Sequence, residues 1–162
     1  MYRVRKLSKS LTTFSGLHFP YISEQKSSLR HRVTIGIGGN LGDVKRRFER
    51  LFIILQRDKR VELLQTSLIL KNPPFGFKNQ DDFLNSIIVL KTDMQPFVFL
   101  DYLMRLEKKF SRRRSFANAP RTLDLDIIFF ENRVIKTDVL TIPHHDWQNR
   151  ESVIIPLSGL TS

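Results

Sequence analysis

Hydrophobic and polar positions alternate along this chain in stretches that predict both strands and helices. Segment 33–37 has the two-residue period of a half-buried strand, whereas apolar residues after Asp43, a suitable helix N-cap, recur at helical spacing. In chain order the pattern predicts a strand at 33–37, a helix after Asp43, strands at about 61–70 and 83–92, a helix from Pro96 and a strand at 121–130. This βαββαβ order, with a short additional strand near 133–135, predicts an α+β fold, a ferredoxin-like sandwich.

The last predicted strand carries two aspartates. Alternation along 121–130 is expected to place Asp124 and Asp126 on one face, roughly 7 Å apart. Two like charges inside a core would be desolvated without partners, whereas Mg²⁺ favours one or two carboxylates together with substrate phosphates. Arg121 adds a planar charge that suits phosphate oxygens, and an exposed face with two solvated aspartates is the alternative. The residues expected to face the core are Leu123, Leu125, Ile127 and Phe129.

The composition indicates one globular domain with a polyanionic partner. Of the 162 residues, 41% are hydrophobic, and no apolar run approaches the length of a membrane span. The absence of cysteine excludes disulfides and thiolate chemistry, and it suits a reducing cytoplasm. The formal net charge of +11 points to nucleic acid or to a nucleoside polyphosphate.

Residues 1–31 differ in composition from the remainder. They contain six Lys or Arg residues and one acidic residue, Glu24, so they carry +5 of the net charge. The segment is rich in Ser and Thr without a sustained period, which predicts a basic, loosely ordered N-terminal extension of a domain spanning 32–162. Its start also fits an organellar transit peptide, with an upstream start site or an expression artefact as the alternative.

Side chains, rather than a glycine loop, are expected to hold phosphate. The glycine cluster 36–42 has Leu41 where the dinucleotide-binding template requires glycine, and the chain lacks a Walker-type phosphate loop. The predicted loop 111–120 contains the run 112–114, three consecutive arginines. This run could be a solvated basic loop or a mobile clamp on a polyphosphate.

A flat heterocycle could be held by Phe83 and Asn85, which share strand parity and would present an aromatic face beside an amide. The preceding stretch 72–76 must be a loop because it contains two prolines. Ordinary strand packing of the pair is the alternative. The run 144–146, two histidines followed by an aspartate, could suggest a transition-metal site, but no third ligand at suitable spacing accompanies it.

Four stretches, in this order, resemble the 6-hydroxymethyl-7,8-dihydropterin pyrophosphokinase family of folate biosynthesis. The aspartate motif in this context is highly specific, whereas the glycine stretch alone is not. The resemblance runs from about Val33 to Leu157. It implies a ferredoxin-like fold and an ATP-dependent transfer of pyrophosphate to the hydroxymethyl group of the pterin, with release of AMP. The stretches are Gly38-Gly-Asn-Leu-Gly-Asp43, Pro73-Pro-Phe-Gly76 with Phe83-Leu-Asn85, Pro120-Arg-Thr-Leu-Asp-Leu-Asp-Ile127, and Ile142-Pro-His-His-Asp146 with Asn149-Arg150.

The resemblance also implies roles for individual residues. Asp124 and Asp126 match carboxylates that bind two Mg²⁺ ions, and Arg112 and Arg121 match arginines that act on the ATP phosphates. The loop is one residue shorter than in relatives, so the choice among the arginines of 112–114 stays open. The implied ATP-binding residues are Glu107, Arg114, Ile127, Thr141, His144, His145 and Arg150. The implied pterin-binding residues are Asn72, Pro73, Pro74, Phe75, Gly76, Phe83 and Asn85.

Two positions depart from the family pattern. Ser152 occupies the position of a second aromatic residue of the pterin pocket, and Val139 replaces an arginine that is sometimes found near the nucleotide.

Two other functions compete with this interpretation. A nucleic-acid-binding ferredoxin-like module would explain the basic charge, but the expected stacking aromatics are missing and Asp124 and Asp126 would repel backbone phosphate. A palm-type nucleotidyl transferase or cyclase also mounts paired aspartates on a strand, but it does not account for the 72–76 loop beside Phe83 and Asn85. The expected partners are therefore small-molecule substrates, and the protein is expected to be a monomer without a membrane or nucleic-acid partner.

Overall fold

The computed structural model describes residues 3–110 and 120–161, and its fold is built on one large antiparallel sheet. The α+β class predicted from the sequence is confirmed. The helices are α1 (Val44–Arg57), α2 (Pro96–Lys109) and α3 (Glu151–Ser158), with a 3₁₀ turn at Trp147–Asn149. The strands are β1 (Val4–Lys6), β2 (Thr12–Phe14), β3 (Tyr21–Ile22), β4 (His31–Gly39), β5 (Val61–Thr66), β6 (Ile69–Asn72), β7 (Phe83–Thr92), β8 (Asp124–Phe130), β9 (Ile135–Lys136) and β10 (Thr141–Ile142).

The centre of the sheet has the order β8–β4–β7–β5, with every neighbouring pair antiparallel. The ferredoxin-like arrangement stays a prediction, which this strand order supports. The single strand predicted at about 61–70 is two strands, β5 and β6, which both pair with β7. The break falls at Ser67, whose backbone N–H donates to the Ile87 carbonyl (2.9 Å) and whose hydroxyl contacts that of Ser86 (2.9 Å).

Helices α1 and α2 cover one face of the sheet. Phe48 and Leu51 of α1 and Leu103 of α2 are fully buried against β4 residues such as Ile35. On the opposite face, a smaller cluster joins Val153 of α3 to β7 and β8. Helix α3 was not predicted from the hydrophobic period, because it has only eight residues and contains a proline. No helix within the described ranges is long and apolar enough to cross a membrane.

The N-terminal segment is part of the sheet. β1 pairs with β2, β2 pairs with β6, and β3 pairs with β5. Phe19 is fully buried between Phe48 and Phe52, with ring centroids 5.8 and 6.2 Å away. The prediction of a loosely ordered extension is therefore wrong for these strands and for Phe19. Strands of two or three residues are too short to show a period, and the strands that β2 and β3 join lie far along the chain.

A β-bulge in β8 changes the predicted facing of its last residues. Ile127 lies opposite Ile35, but Phe129 lies opposite Thr34, so β8 has one extra residue at this point. Ile128 and Phe129 consequently both belong to the face that α3 covers, while Phe130 returns to the main core. The expectation that Phe129 would face the core with Ile127 is wrong for this reason.

Asp58, just after α1, connects the two long helices. Its carboxylate accepts hydrogen bonds from Arg60 Nε (3.0 Å) and Nη2 (2.8 Å) and from the Tyr102 hydroxyl of α2 (2.9 Å). The hydrogen bonds from Arg60 lower the pKa of Asp58 to about 2. Burial raises the pKa of Tyr102, which therefore remains a neutral donor.

We expect Asp58→Asn to flatten the acid side of the stability profile. The folded pKa lies below that of an unfolded aspartate (about 3.9), so the stabilisation by the carboxylate is complete above about pH 4 and is lost as the pH falls toward 2. In thermal unfolding, the difference in Tm between wild type and variant should be constant above about pH 5 and shrink below pH 4. A difference that stays the same at pH 2.5 and pH 7 would contradict the expectation.

Candidate active site

Two glycines of β4 leave an uncovered strip at the centre of the sheet. Gly38 lies opposite Asn85 of β7 on one side and Asp124 of β8 on the other, and Gly36 lies opposite Asp126. Residues in register share a face, so both carboxylates and the amide project over the strip. A Cβ at Gly38 would lie 2.5 Å from Asn85 Oδ1, so any side chain there would fill the space. We call this space the glycine cleft; its lining residues are Gly36, Ile37, Gly38, Asn85, Ser86, Asp124, Asp126, Ile128, His144, Arg150, Ser152 and Val153.

Arg121 lies beside the first aspartate of the cleft. Its Nη1 donates to Asp124 Oδ2 at 2.8 Å, and the two side chains are only 17% and 19% exposed. Its guanidinium carbon also lies 5.5 Å from the centroid of the Phe83 ring. The structure thus brings a carboxylate, a cation and an aromatic face together.

The amide of Asn85 is oriented by a second amide at the end of β6. Asn85 Nδ2 donates to Asn72 Oδ1 at 2.6 Å, and Asn72 Nδ2 donates to the Pro73 carbonyl at 3.0 Å. Asn72 is buried, so these bonds join β7 to the start of the loop 73–82, which we call the proline loop. Phe75 of this loop is 57% exposed, and the Arg150 guanidinium lies 4.9 Å from its ring centroid. Ser152 also lines the glycine cleft.

A second space, which we call the α2 cavity, opens beside the cleft and has a volume of about 610 Å³. Asp126 and His144 line both spaces, so the two are adjacent. Of the predicted nucleotide-site residues, Ile127, Thr141, His144 and His145 line this cavity. The apolar wall that α2 contributes was not predicted from the sequence, because those residues appear there only as part of a helical hydrophobic period. The remaining lining residues are Phe97, Leu100, Asp101, Met104, Leu125, Asp138, Val139 and Leu140.

His144 is held at the junction of the two spaces. Its backbone N–H donates to the Ile128 carbonyl at 2.9 Å. Burial, followed by the charge of Arg150, lowers the pKa of His144, so the ring is neutral at physiological pH. Its Nδ1 is buried and has no hydrogen-bond partner among the described residues. A neutral imidazole in this position could exchange a hydrogen bond with a ligand.

Glu107 is placed differently from the other predicted nucleotide-site residues. It is 4% exposed, and its Oε1 accepts the Leu125 N–H at 3.0 Å, so its carboxylate supports the outer edge of β8. Its role toward ATP stays a prediction. Arg112 and Arg114, together with Arg113, lie outside the described residues.

The cleft has the donor set of a magnesium site completed by its substrate. Asp124 and Asp126 offer hard carboxylate oxygens from one face, and Gly36 and Gly38 leave room above the sheet. Over residues 3–110 and 120–161, no group of three or more His, Cys, Asp or Glu side chains could bind a metal alone. The residues therefore fit an ion that takes its other ligands from phosphate and water, as Mg²⁺ usually does.

Comparison with known proteins shows the family of the chain. The model of the family described as 7,8-dihydro-6-hydroxymethylpterin-pyrophosphokinase matches residues 34–162. A Campylobacter jejuni protein named 2-amino-4-hydroxy-6-hydroxymethyldihydropteridine pyrophosphokinase is 41% identical over 139 residues, which are 86% of this chain and 88% of that protein. Proteins of the same name from Helicobacter pylori (34% identical; 86% and 87% covered) and Haemophilus influenzae (35%; 79% and 80%) are also similar. The chain therefore belongs to the 7,8-dihydro-6-hydroxymethylpterin-pyrophosphokinase family.

Proposed function

We propose that the glycine cleft and the α2 cavity together transfer pyrophosphate from ATP to the hydroxymethyl oxygen of 6-hydroxymethyl-7,8-dihydropterin, a step of folate biosynthesis. One observation carries the assignment to this site: Asn85, Gly38 and Asp124 lie in one row across three neighbouring strands. Neighbouring strands are about 4.8 Å apart, so the Cα atoms of the residues that carry the amide and the carboxylate lie about 10 Å from each other. A bicyclic heterocycle bound by the amide can lie over the glycine and point its substituent toward the aspartates.

The pterin side of this row is formed by β7, β6 and the proline loop. The Asn85 amide can form a donor–acceptor pair with the amide edge of a pterin, while the Phe83 ring offers a face for stacking. The bond from Asn85 to Asn72 fixes the amide before the ligand arrives. Ser152 gives no second aromatic surface, so stacking depends on Phe83. Asn72 and the segment 73–76 complete this proposed pocket.

The nucleotide side is the α2 cavity. Its apolar wall suits a purine base, and it reaches Asp126 at its junction with the cleft. We assign the base and ribose to the region of Ile127 and Thr141, and the phosphates to the end with Asp126. This nucleotide site also includes Glu107, His144, His145 and Arg150. It includes Arg114 as well, which lies outside the described residues.

Asp124 and Asp126 would hold Mg²⁺, and we propose two ions, the number that the family resemblance implies. When bound there, Mg²⁺ would neutralise charge on the triphosphate and orient it. The carboxylates themselves are positioned by β8, whose pairing with β4 sets their common direction.

In the proposed reaction, the hydroxymethyl oxygen forms a bond to the β-phosphorus and the bond from that phosphorus to the α,β-bridging oxygen breaks, so that AMP leaves. Arg121 would stabilise the charge that develops on the transferred group, together with Arg112, which lies outside the described residues. The hydroxyl proton passes to water or phosphate, because no side chain of the cleft stands out as a general base. Phosphoryl-type transition states that are loose need accurate positioning more than strong deprotonation.

The products of a single incubation test this function. Purified protein with ATP, Mg²⁺ and 6-hydroxymethyl-7,8-dihydropterin should release one AMP per pterin diphosphate formed. Omission of the pterin should abolish AMP release. Formation of ADP, or of AMP without pterin consumption, would contradict the proposal.

Asn85→Ala should weaken pterin binding without weakening ATP binding. A buried polar partner left unpaired costs about 1–3 kcal/mol, which corresponds to about 5- to 150-fold in affinity. Phe83→Ala should weaken pterin binding as well, because Ser152 cannot replace the lost stacking surface. Calorimetric titration of each ligand against both variants measures the effects. If ATP affinity falls as much as pterin affinity, the pocket is misplaced and these residues only pack the sheet.

The oligomeric state, the compartment and the catalytic domain of the enzyme are also part of the proposed function. We propose that the enzyme acts on these small-molecule substrates as a monomer. We place the reaction in the cytoplasm, where ATP is available, and we assign catalysis to the domain 32–162.

A further inference from the structure

Asn40, directly after β4, is a polar side chain in a buried position. It is 5% exposed and belongs to the glycine cluster 36–42. The proposed reaction uses only the uncovered strip of this cluster and gives Asn40 no role. A buried amide is expected to have its hydrogen bonds satisfied, so its partners show what it holds in place.

The partners of Asn40 come from two different parts of the site. Its Nδ2 donates to Gln80 Oε1 at 2.8 Å and to the Asp81 carbonyl at 2.9 Å, both in the proline loop. Its Oδ1 accepts the backbone N–H of Arg121 at 3.0 Å, and its own backbone N–H donates to the Arg121 carbonyl at 3.0 Å. One side chain therefore joins the loop on the pterin side to the backbone of the arginine on the phosphate side.

The neighbouring glycine keeps this junction tight. A Cβ at Gly39 would lie 2.6 Å from the Thr122 carbonyl oxygen, a distance that backbone atoms cannot accommodate without a shift. The end of β4 can thus approach the 121–122 backbone closely enough for Asn40 to bond Arg121 through both main chain and side chain.

We propose that Asn40 is a positioning residue that sets the distance between the proline loop and Arg121, and so aligns the pterin with the phosphoryl group. This inference rests on the proposed function. Asn40 does not line the glycine cleft, so it acts through Gln80, Asp81 and Arg121 rather than on a substrate. The amide is the group required: one acceptor serves Arg121 and the two donors serve the loop.

Two substitutions separate the two halves of this role. Asn40→Ala removes both, so kcat should fall and the KM for pterin should rise, each by about 5- to 150-fold, with the KM for ATP changed less than twofold. Asn40→Asp keeps an oxygen for the Arg121 N–H but cannot donate to the two loop oxygens. It should raise the KM for pterin as the alanine variant does and keep kcat within about threefold of wild type.

Thr66→Val is the control for general destabilisation. Thr66 is fully buried in β5 and donates to the His18 carbonyl, away from both spaces of the site. It should lower Tm without changing kcat or either KM. The inference is overturned if Asn40→Ala keeps wild-type kcat and KM for pterin, if Thr66→Val reproduces its losses, or if Asn40→Asp loses as much kcat as the alanine variant.

Binding measurements distinguish failure of this inference from failure of the proposed function. Calorimetric titration with 6-hydroxymethyl-7,8-dihydropterin needs no turnover, and Asn40→Ala and Asn40→Asp should both weaken that binding. A wild-type protein that forms no pterin diphosphate refutes the proposed function and this inference with it. A wild-type enzyme that is active, with unchanged pterin affinity in both variants, refutes only the inference.

Discussion

Replacing Asp126 with alanine is expected to abolish turnover and leave the fold intact. Asp126 lines both the glycine cleft and the α2 cavity, so it stands where the two substrates would meet. Removal of one group that stabilises transition-state charge typically costs about 10²–10³ in kcat, and loss of a carboxylate that orients the metal and the triphosphate should cost at least about 10³-fold. Because a carboxylate near a second one is removed, Tm should hold or rise slightly.

The measurement is AMP formation at saturating ATP and Mg²⁺, together with thermal unfolding. Asp124→Ala should lose turnover similarly, and it also removes the carboxylate that Arg121 contacts at 2.8 Å. Glu62→Ala, a carboxylate removed from the far strand β5, is the matched control and should keep full activity. Full activity of Asp126→Ala under these conditions would refute the metal assignment.

Replacing Arg121 with alanine is expected to lower kcat by about 10²-fold or more while pterin affinity changes little. An arginine that acts on the transferred group stabilises the transition state more than it stabilises either bound substrate. Its position beside Asp124 and 5.5 Å from the Phe83 ring places it between the carboxylates and the pterin side. Arg121→Lys keeps the charge but loses the planar fork, so it should recover only part of the rate.

Single-turnover kinetics and calorimetric titration of both substrates separate these effects. Arg133→Ala, which removes a guanidinium paired with Glu131 outside both spaces, is the control for a simple loss of charge. Equal losses of ground-state affinity for both substrates, with kcat unchanged, would count against the assigned role of Arg121.

Local sequence was sufficient for much of the fold and for the pairing of the two aspartates. Strand β4, helix α1 and helix α2 were predicted because burial of one face imposes a two-residue or a helical period that can be read along the chain. Asp124 and Asp126 share a face because alternation is a property of any strand, whatever its partners. The roles of the site residues beyond this placement stay predictions that the experiments above test.

Other features were decided only by the tertiary structure. The N-terminal strands have two or three residues each. β2 and β3 form on the edges of β6 and β5, and β1 then pairs with β2. The bulge at Ile128 depends on the register with β4, so no local pattern in β8 could show that Phe129 changes face. The hydrogen bonds of Asn40 reach Gln80, which is 40 positions away in the chain, and Arg121, which is 81 positions away. A buried amide gives no sequence signal of its partners. Periodicity reports how a segment is buried, whereas long-range contacts report which segments meet, and the second is settled only when the sheet assembles.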